Sequence, residues 1–216
     1  MCGRYRLNPS QLAVAAAAGA LPKFEEFSET RITHRFDDSK SFVPSNKVPI
    51  IRLENDQQVI DEAEWGFVRP NSGDQPSINA RGETVARLPK FCEAFRSSRC
   101  LLPTDGFFEP KGPKGMKHRP QFYFLRPDGQ PFMMAGIYSH GASGLTVALI
   151  TIFPNKFMQP IHDRMPVILS PEDYAQWLEP KTPIPDLQVL IRPADEDLLV
   201  CEPVIPTKPA ERGLFD

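Results

Sequence analysis

Residue 2 of the chain is a cysteine, in the segment Met1-Cys2-Gly3-Arg4-Tyr5-Arg6. Methionine aminopeptidases remove an initiating methionine when the next side chain is small, and cysteine qualifies. The chain would then begin with an α-amine and a thiol on adjacent carbons. These groups titrate near ~7.7–8 and ~8.5, so a usable fraction of the amine is neutral at pH 7. A neutral amine attacks an aldehyde to give a Schiff base. The thiol can then close onto the imine carbon, giving a five-membered thiazolidine. An internal cysteine cannot do this, because its nitrogen is tied up in an amide. The plainer reading of Cys2 is a small residue at a frayed terminus, and position alone leaves both open.

Three further segments place polar chemistry beside apolar runs. Asn79-Ala80-Arg81-Gly82-Glu83-Thr84 follows a Pro/Gly loop and precedes a helix. Asn79 offers donors and an acceptor, and Arg81 offers a planar fork suited to phosphate; the alternative is a turn with a solvated arginine and a helix-starting Glu83. Thr104-Asp105-Gly106-Phe107-Phe108-Glu109-Pro110 ends an apolar strand on Glu109. Burial there would raise its pKa toward general acid–base use, whereas a strand end facing water would leave it ordinary. In Ile161-His162-Asp163-Arg164-Met165-Pro166, three ionisable residues lie between apolar stretches. That is costly unless they share a polar site. His162 would then carry protons near neutral pH, and Arg164 would bind phosphate. A charged surface loop is the alternative.

The elements that must position these residues are short and mostly strands. Asn8-Pro9-Ser10 reads as the start of a helix through Ala13–Ala18 to Gly19, and residues 21–45 read as irregular. Val48–Leu53 and Gln58–Phe67 read as strands around a turn at Glu54-Asn55-Asp56. Val68 to Gly82 is a loop, and Pro89–Arg96 a short helix with Phe91 and Phe95 one turn apart. Arg99–Pro103 and Gly106–Glu109 are strands, followed by a basic loop from Lys111 to Arg119. Gln121–Leu125, Phe132–Tyr138 and Leu145–Ile152 are apolar strands, the first two joined at Pro127-Asp128-Gly129. Met165–Leu169 is a strand. Ser170-Pro171-Glu172-Asp173 starts a helix through Trp177, with the serine hydroxyl as its cap. Asp186–Arg192 is a further helix and Leu198–Val204 a last strand. No repeat, no strong linker and no βαβ alternation is visible. The expected fold is α+β: one domain over residues 1–216, with a largely antiparallel, barrel-like sheet and a few short helices.

Composition narrows the function. Of 216 residues, 41% are hydrophobic and 24% charged, as in ordinary globular proteins. The 24 prolines are spread along the chain, which points to many loops rather than a disordered tail. The net charge of −2 is not that of a typical nucleic-acid binder, so any such role must rest on a local arginine patch. Cys2, Cys92, Cys100 and Cys201 form no C-x-x-C, and His34, His118, His140 and His162 show no metal-ligand spacing with them. No metal or cofactor is expected. The low cysteine density fits a reducing cytosol. No signal-peptide pattern or membrane span is read, so the protein is expected in the cytoplasm, without membrane association, and as a monomer.

Taken together, the motifs resemble the SOS-response-associated peptidase family, also called abasic-site-processing or SRAP-domain proteins. The resembling pieces appear in the family's order: Met1-Cys2-Gly3-Arg4-Tyr5, Pro44-Ser45-Asn46-Lys47-Val48-Pro49, Trp65-Gly66-Phe67, Ile78-Asn79-Ala80-Arg81-Gly82-Glu83-Thr84, Arg99-Cys100-Leu101-Leu102-Pro103, Asp105-Gly106-Phe107-Phe108-Glu109, Ala135-Gly136-Ile137-Tyr138 and Ile161-His162-Asp163-Arg164-Met165-Pro166. The resemblance implies binding to single-stranded DNA and a stable crosslink between the N-terminal cysteine and the ring-opened sugar aldehyde of an abasic site, at the nucleoid. It implies Cys2 as nucleophile, Asn79 orienting the N-terminal residue or sugar, Glu109 as acid–base, and His162 assisting the sugar oxygens and DNA backbone. Arg4, Arg81 and Arg164 would hold phosphates, and Arg6 flanks Cys2 with Arg4. The family name implies peptidase activity, which fits self-removal of Met1, and lyase-like chemistry is a related expectation. An N-terminal-nucleophile peptidase and a non-catalytic single-strand binder are the competing classes. Two positions depart from the family's usual pattern. Val68-Arg69-Pro70-Asn71 stands where relatives carry a second tryptophan, and Pro110 where they carry another. Val68 and Pro70 are therefore expected to wedge against bases by apolar contact alone.

Overall fold

The computed structural model describes residues 2–8 and 41–205, apart from 114 and 117. The helix expected after Asn8 falls outside the described residues. Two sheets form the body. One contains β1 (Tyr5–Arg6), β2 (Ser41–Phe42), β7 (Gly106–Pro110), β8 (Gln121–Leu125) and β13 (Val200–Pro203), in the order β13-β8-β7-β1-β2. The other is built on β3 (Lys47–Glu54), β4 (Gln57–Trp65), β6 (Arg99–Thr104), β9 (Phe132–Gly141) and β10 (Gly144–Ile152). Each neighbour in the cycle β10-β4-β3-β6-β9-β10 is paired, so these five strands close into a barrel. The β10–β4 pairing is parallel and the other four are antiparallel. Closure removes the unpaired edges of an open sheet. The α+β, barrel-like expectation therefore holds, with strands dominating.

Local chemistry explains much of the barrel. Asn55 and Asp56 adopt φ of 50° and 60°, and Glu54 pairs with Gln57 across them. That is the two-residue hairpin with left-handed φ at both positions, which asparagine and aspartate tolerate. Val48, Ile50 and Ile51 of β3, with Trp65 of β4, are buried. Among the described residues, four short helices lie outside the strands: α1 (Gly82–Val85), α2 (Cys92–Ser97), α3 (Tyr174–Leu178) and α4 (Ile184–Leu190). The buried Arg99 guanidinium gathers the carbonyl ends of α2 and α3. Its Nε donates to Trp177 O at 2.6 Å and its Nη1 to Phe95 O at 2.7 Å, satisfying groups that helix ends leave open.

Several sequence expectations need correction. Pro127-Asp128-Gly129 does form a turn, with Gly129 N bonded to Arg126 O at 3.0 Å and φ of 68° at Gly129. It does not make a hairpin, because β8 pairs with β7 and β13 while β9 belongs to the barrel. Ser41–Phe42, read as irregular, pairs antiparallel with β1. Asn79–Arg81, read as loop, is the strand β5, parallel to β10. Met165–Leu169 splits into β11 (Met165–Pro166) and β12 (Ile168–Leu169), paired to β10 and β9 respectively. The hydroxyl of Ser170 makes no capping bond, and the chain enters α3 through a 3-10 turn at Pro171–Asp173. The helix expected at Asp186–Arg192 begins two residues earlier, after Pro183.

Gly106 starts β7, the strand that carries Glu109. A Cβ there would lie 2.5 Å from the Phe124 carbonyl oxygen and 2.4 Å from the Tyr123 ring. Backbone cannot yield as a side-chain tip can. We expect Gly106→Ala to cost about 1–3 kcal/mol through overpacking, read as a lower melting temperature, although Gly-to-Ala in an open strand normally stabilises.

Candidate active site

Two strands, β5 and β7, position Cys2. Trp65, at the end of β4, donates its indole N–H to Ile78 O at 2.8 Å, fixing the residue just before β5. Strand β5 then lies along β10, with Asn79 opposite Leu149 and Arg81 opposite Thr151. Asn79 Nδ2 donates to the Cys2 carbonyl at 3.0 Å. The other partner is β7, which pairs with β1 through Tyr5 opposite Phe107, and Phe108 N donates to Arg4 O at 2.9 Å. Side chains alternate across a strand, so Glu109 shares the inward face with Phe107. Both are fully buried, as is Cys2.

Burial sets the electrostatics. It pushes the Glu109 carboxyl up to about 8, so the group is largely protonated at neutral pH. Burial, and after it the nearby Glu109 charge, pushes the Cys2 thiol well above the ordinary cysteine range. His162 Nε2 lies 3.5 Å from Glu109 Oε2, and burial holds the ring below the ordinary histidine value. The His162 Nδ1 sits 3.1 Å from both the amide nitrogen and the carbonyl oxygen of Arg164, and 3.3 Å from the Asp163 carboxylate. The amide can donate to Nδ1 and the oxygens can accept from it. Either neutral tautomer is thus served, and a proton on Nε2 can pass to or from Glu109.

An open groove of about 1080 Å³ runs from His162 past Arg81, Arg119 and Phe153. Three arginines and two carboxylates line it, but one arginine is engaged. Arg164 donates from Nη1 to Glu83 Oε1 at 2.6 Å and from Nη2 to Glu83 Oε2 at 2.9 Å, with a further bond to Thr151 O at 2.6 Å. Burial alone would raise the Glu83 carboxyl, but the bonds from Arg164 more than reverse this and hold it below its ordinary value. Arg81 is exposed at the groove wall.

The structure thus brings Cys2, Asn79, Glu109 and His162 together from positions far apart in sequence, with Arg81 beside them. It does not gather the remaining expected residues. Arg4 and Arg6 alternate with the inward-facing Tyr5 and project from the other face of the sheet. The Arg4 guanidinium sits 4.3 Å over the Phe108 ring, and Arg6 lies 4.0 Å from Asp105. Arg164 is mostly buried in its pair with Glu83 rather than open to a phosphate. Val68 and Pro70 line a separate groove with His140 and Ala142. Val68 bonds to Thr146, whereas Arg81 pairs with Thr151 further along β10; five residues of strand span roughly 17 Å. Sequence reasoning passed over Arg119, Phe153 and the Glu83–Arg164 pair. Only the i-to-distant pairing of charges could have revealed the last.

A family model described as SOS response associated peptidase (SRAP) matches residues 1–207. The chain belongs to the SRAP family. The abasic site processing protein YobE of Bacillus subtilis (strain 168) is 35% identical over 172 residues, covering 75% of this chain and 78% of that one. The abasic site processing protein YoaM of the same organism is 32% identical over 207 residues, covering 91% and 88%. Among solved structures, a protein from Bacteroides thetaiotaomicron superposes with a TM-score of 0.80 at 23% identity, covering 94% of this chain and 92% of that chain. That likeness shows the fold alone. No helix among the described residues is long and apolar enough to cross a membrane.

Proposed function

We propose that this SRAP protein captures abasic sites in single-stranded DNA as a covalent adduct on Cys2, once Met1 has been removed. The observation that carries this reading is the placement of Cys2 at a buried acid–base pair. Asn79 holds its carbonyl, and Glu109 sits close enough for its charge to raise the thiol. The relatives' names, abasic site processing proteins, point to the same substrate.

The steps balance without a cofactor. An abasic deoxyribose opens when a proton leaves its anomeric hydroxyl and another reaches the ring oxygen, exposing the C1′ aldehyde. The Cys2 amine adds to that carbon, a proton moves from nitrogen to oxygen, and water leaves to give the imine. The thiol then adds across C=N, sulfur bonding carbon and the thiol proton ending on nitrogen. The product is a thiazolidine, with one water released. Glu109, protonated near neutrality, supplies the proton that makes water a leaving group, and His162 can return it through the 3.5 Å contact. A neutral, buried thiol suits late addition to an imine. It suits poorly a peptidase whose cysteine attacks as a thiolate.

Intact-mass measurement of the mature protein mixed with an abasic oligonucleotide tests this. We expect the sum of both masses minus one water, with no such species from the intact oligonucleotide. A mixture with only unmodified protein and noncovalent DNA would refute the adduct.

Arg81 is the exposed cation best placed for a phosphate. Arg81→Ala should weaken binding and flatten the dependence of log K on log salt by about 0.7, the share of one phosphate contact on a single strand. Arg164→Ala should act differently. It removes a charge-assisted pair and leaves the buried Thr151 carbonyl without its Arg164 donor, and should cost roughly 1–3 kcal/mol of stability, so a melting-temperature loss should accompany any loss of binding. An unchanged melting temperature would return Arg164 to the role of a free phosphate ligand.

A further inference from the structure

Phe153 is 64% exposed, and no other Phe, Tyr or Trp among the described residues falls in the exposed class. Leaving a phenylalanine in water forgoes about 1.5–3 kcal/mol of burial. The ring is nonetheless held firmly. It follows the last residue of β10 and precedes Pro154, which restricts its backbone to extended conformations. The Arg164 guanidinium lies over it at 5.0 Å from the ring centre, and that guanidinium is itself fixed by Glu83 and Thr151. One face of the ring therefore rests on a clamped cation. The ring lines the groove together with Arg81, Arg119 and His162.

A rigid aromatic, exposed beside the exposed Arg81 and the partly exposed Arg119, fits a flat π-system joined to phosphates. We propose that Phe153 is the stacking platform for the nucleobase next to the abasic nucleotide, with Arg81 taking the phosphate between them. This deepens the reading above and rests on it. It also relocates base contact from Val68 and Pro70, which line another groove, to the groove of the acid–base pair. The pair of buried Arg164 with Glu83 gains a purpose: it holds the platform from one side.

The test is steady-state fluorescence of 2-aminopurine placed on either side of the abasic site in a short single strand, with wild type, Phe153→Leu, Phe153→Ala and Phe153→Trp. Stacking quenches the probe. We expect quenching with wild type and Phe153→Trp from one flank, and its loss with Leu and Ala. Noncovalent affinity for the same strand should fall by about 5- to 150-fold in Phe153→Leu, the worth of stacking one base. Melting temperatures should stay near wild type, since the side chain is exposed. Equal quenching and affinity in Phe153→Leu and wild type would overturn the platform, even with normal adduct formation. Phe153-dependent quenching without any wild-type adduct would instead strike the covalent reading and leave the platform standing.

Discussion

A Cys2→Ala variant should form no denaturant-resistant adduct with abasic single-stranded DNA, and neither should a chain that keeps Met1 or carries an N-terminal tag. The effect is all-or-none because the chemistry needs two groups on adjacent carbons. Alanine keeps the free amine and can still form an imine. Without a thiol to close the ring, that imine hydrolyses and is lost on denaturation. A retained Met1 removes the amine by turning it into an amide, and the buried thiol alone, pushed well above its ordinary value, is a weak nucleophile. Borohydride separates the two failures. It should trap the Cys2→Ala imine as a stable amine and trap far less with the Met1-retaining chain, whose remaining α-amine sits one residue away from position 2. Noncovalent binding should persist in both. Equal adduct yields from a tagged chain and the mature one would overturn the proposal.

Much of this arrangement was legible in the residues. The β3–β4 hairpin followed from alternating apolar residues around Asn55-Asp56, and the structure places left-handed φ at both of those positions. Glu109 was suspect as a carboxylate closing an apolar strand, and it is fully buried. What could not be read was partnership between distant elements. Three residues at Asn79–Arg81 carry no strand period of their own. They are extended because β10 offers an edge and Trp65 fixes Ile78. The turn at Pro127-Asp128-Gly129 was visible, but turn chemistry is local and cannot say that the next strand enters another sheet.

The site shows the same division. Arg164 looked like a phosphate ligand because arginine suits phosphate, yet Glu83, 81 residues away, claims its fork. Arg4 and Arg6 looked close to the chemistry because they are close to Cys2 in sequence. Strand alternation gives residues 2, 4 and 6 the same parity and would keep them together; they part because Cys2 lies ahead of β1, outside the strand. A single aromatic after an apolar strand, as Phe153 is, reads as core. Only its exposure reveals otherwise.

Glu109→Gln should slow adduct formation by ~10²–10⁴-fold, the usual worth of a positioned acid–base group, while making the protein relatively more stable at alkaline pH. The two effects share one cause. Burial raises the carboxyl from 4.5 to about 8, so between those values the folded state holds a proton that the unfolded chain has released. Stability then declines as pH rises, by up to about 1.4 kcal/mol per unit, and levels off above the folded value. Glutamine has no proton to lose, so its stability should lack this descent. His162 acts in the opposite sense: its depressed folded value lowers stability as pH falls below the ordinary histidine range near 6.5. The clean window is therefore about pH 6.5–8. Chemical denaturation across it should show wild-type stability falling and Glu109→Gln nearly flat, whatever offset the new amide introduces. Adduct rates should follow a bell in wild type, rising as the Cys2 amine loses its proton and falling as the Glu109–His162 pair does. The falling limb belongs to the pair rather than to one residue. In Glu109→Gln that limb should disappear along with most of the rate. Parallel stability curves for the two proteins, or adduct rates within twofold, would mean that Glu109 is ionised in the fold and takes no part in the proton transfers.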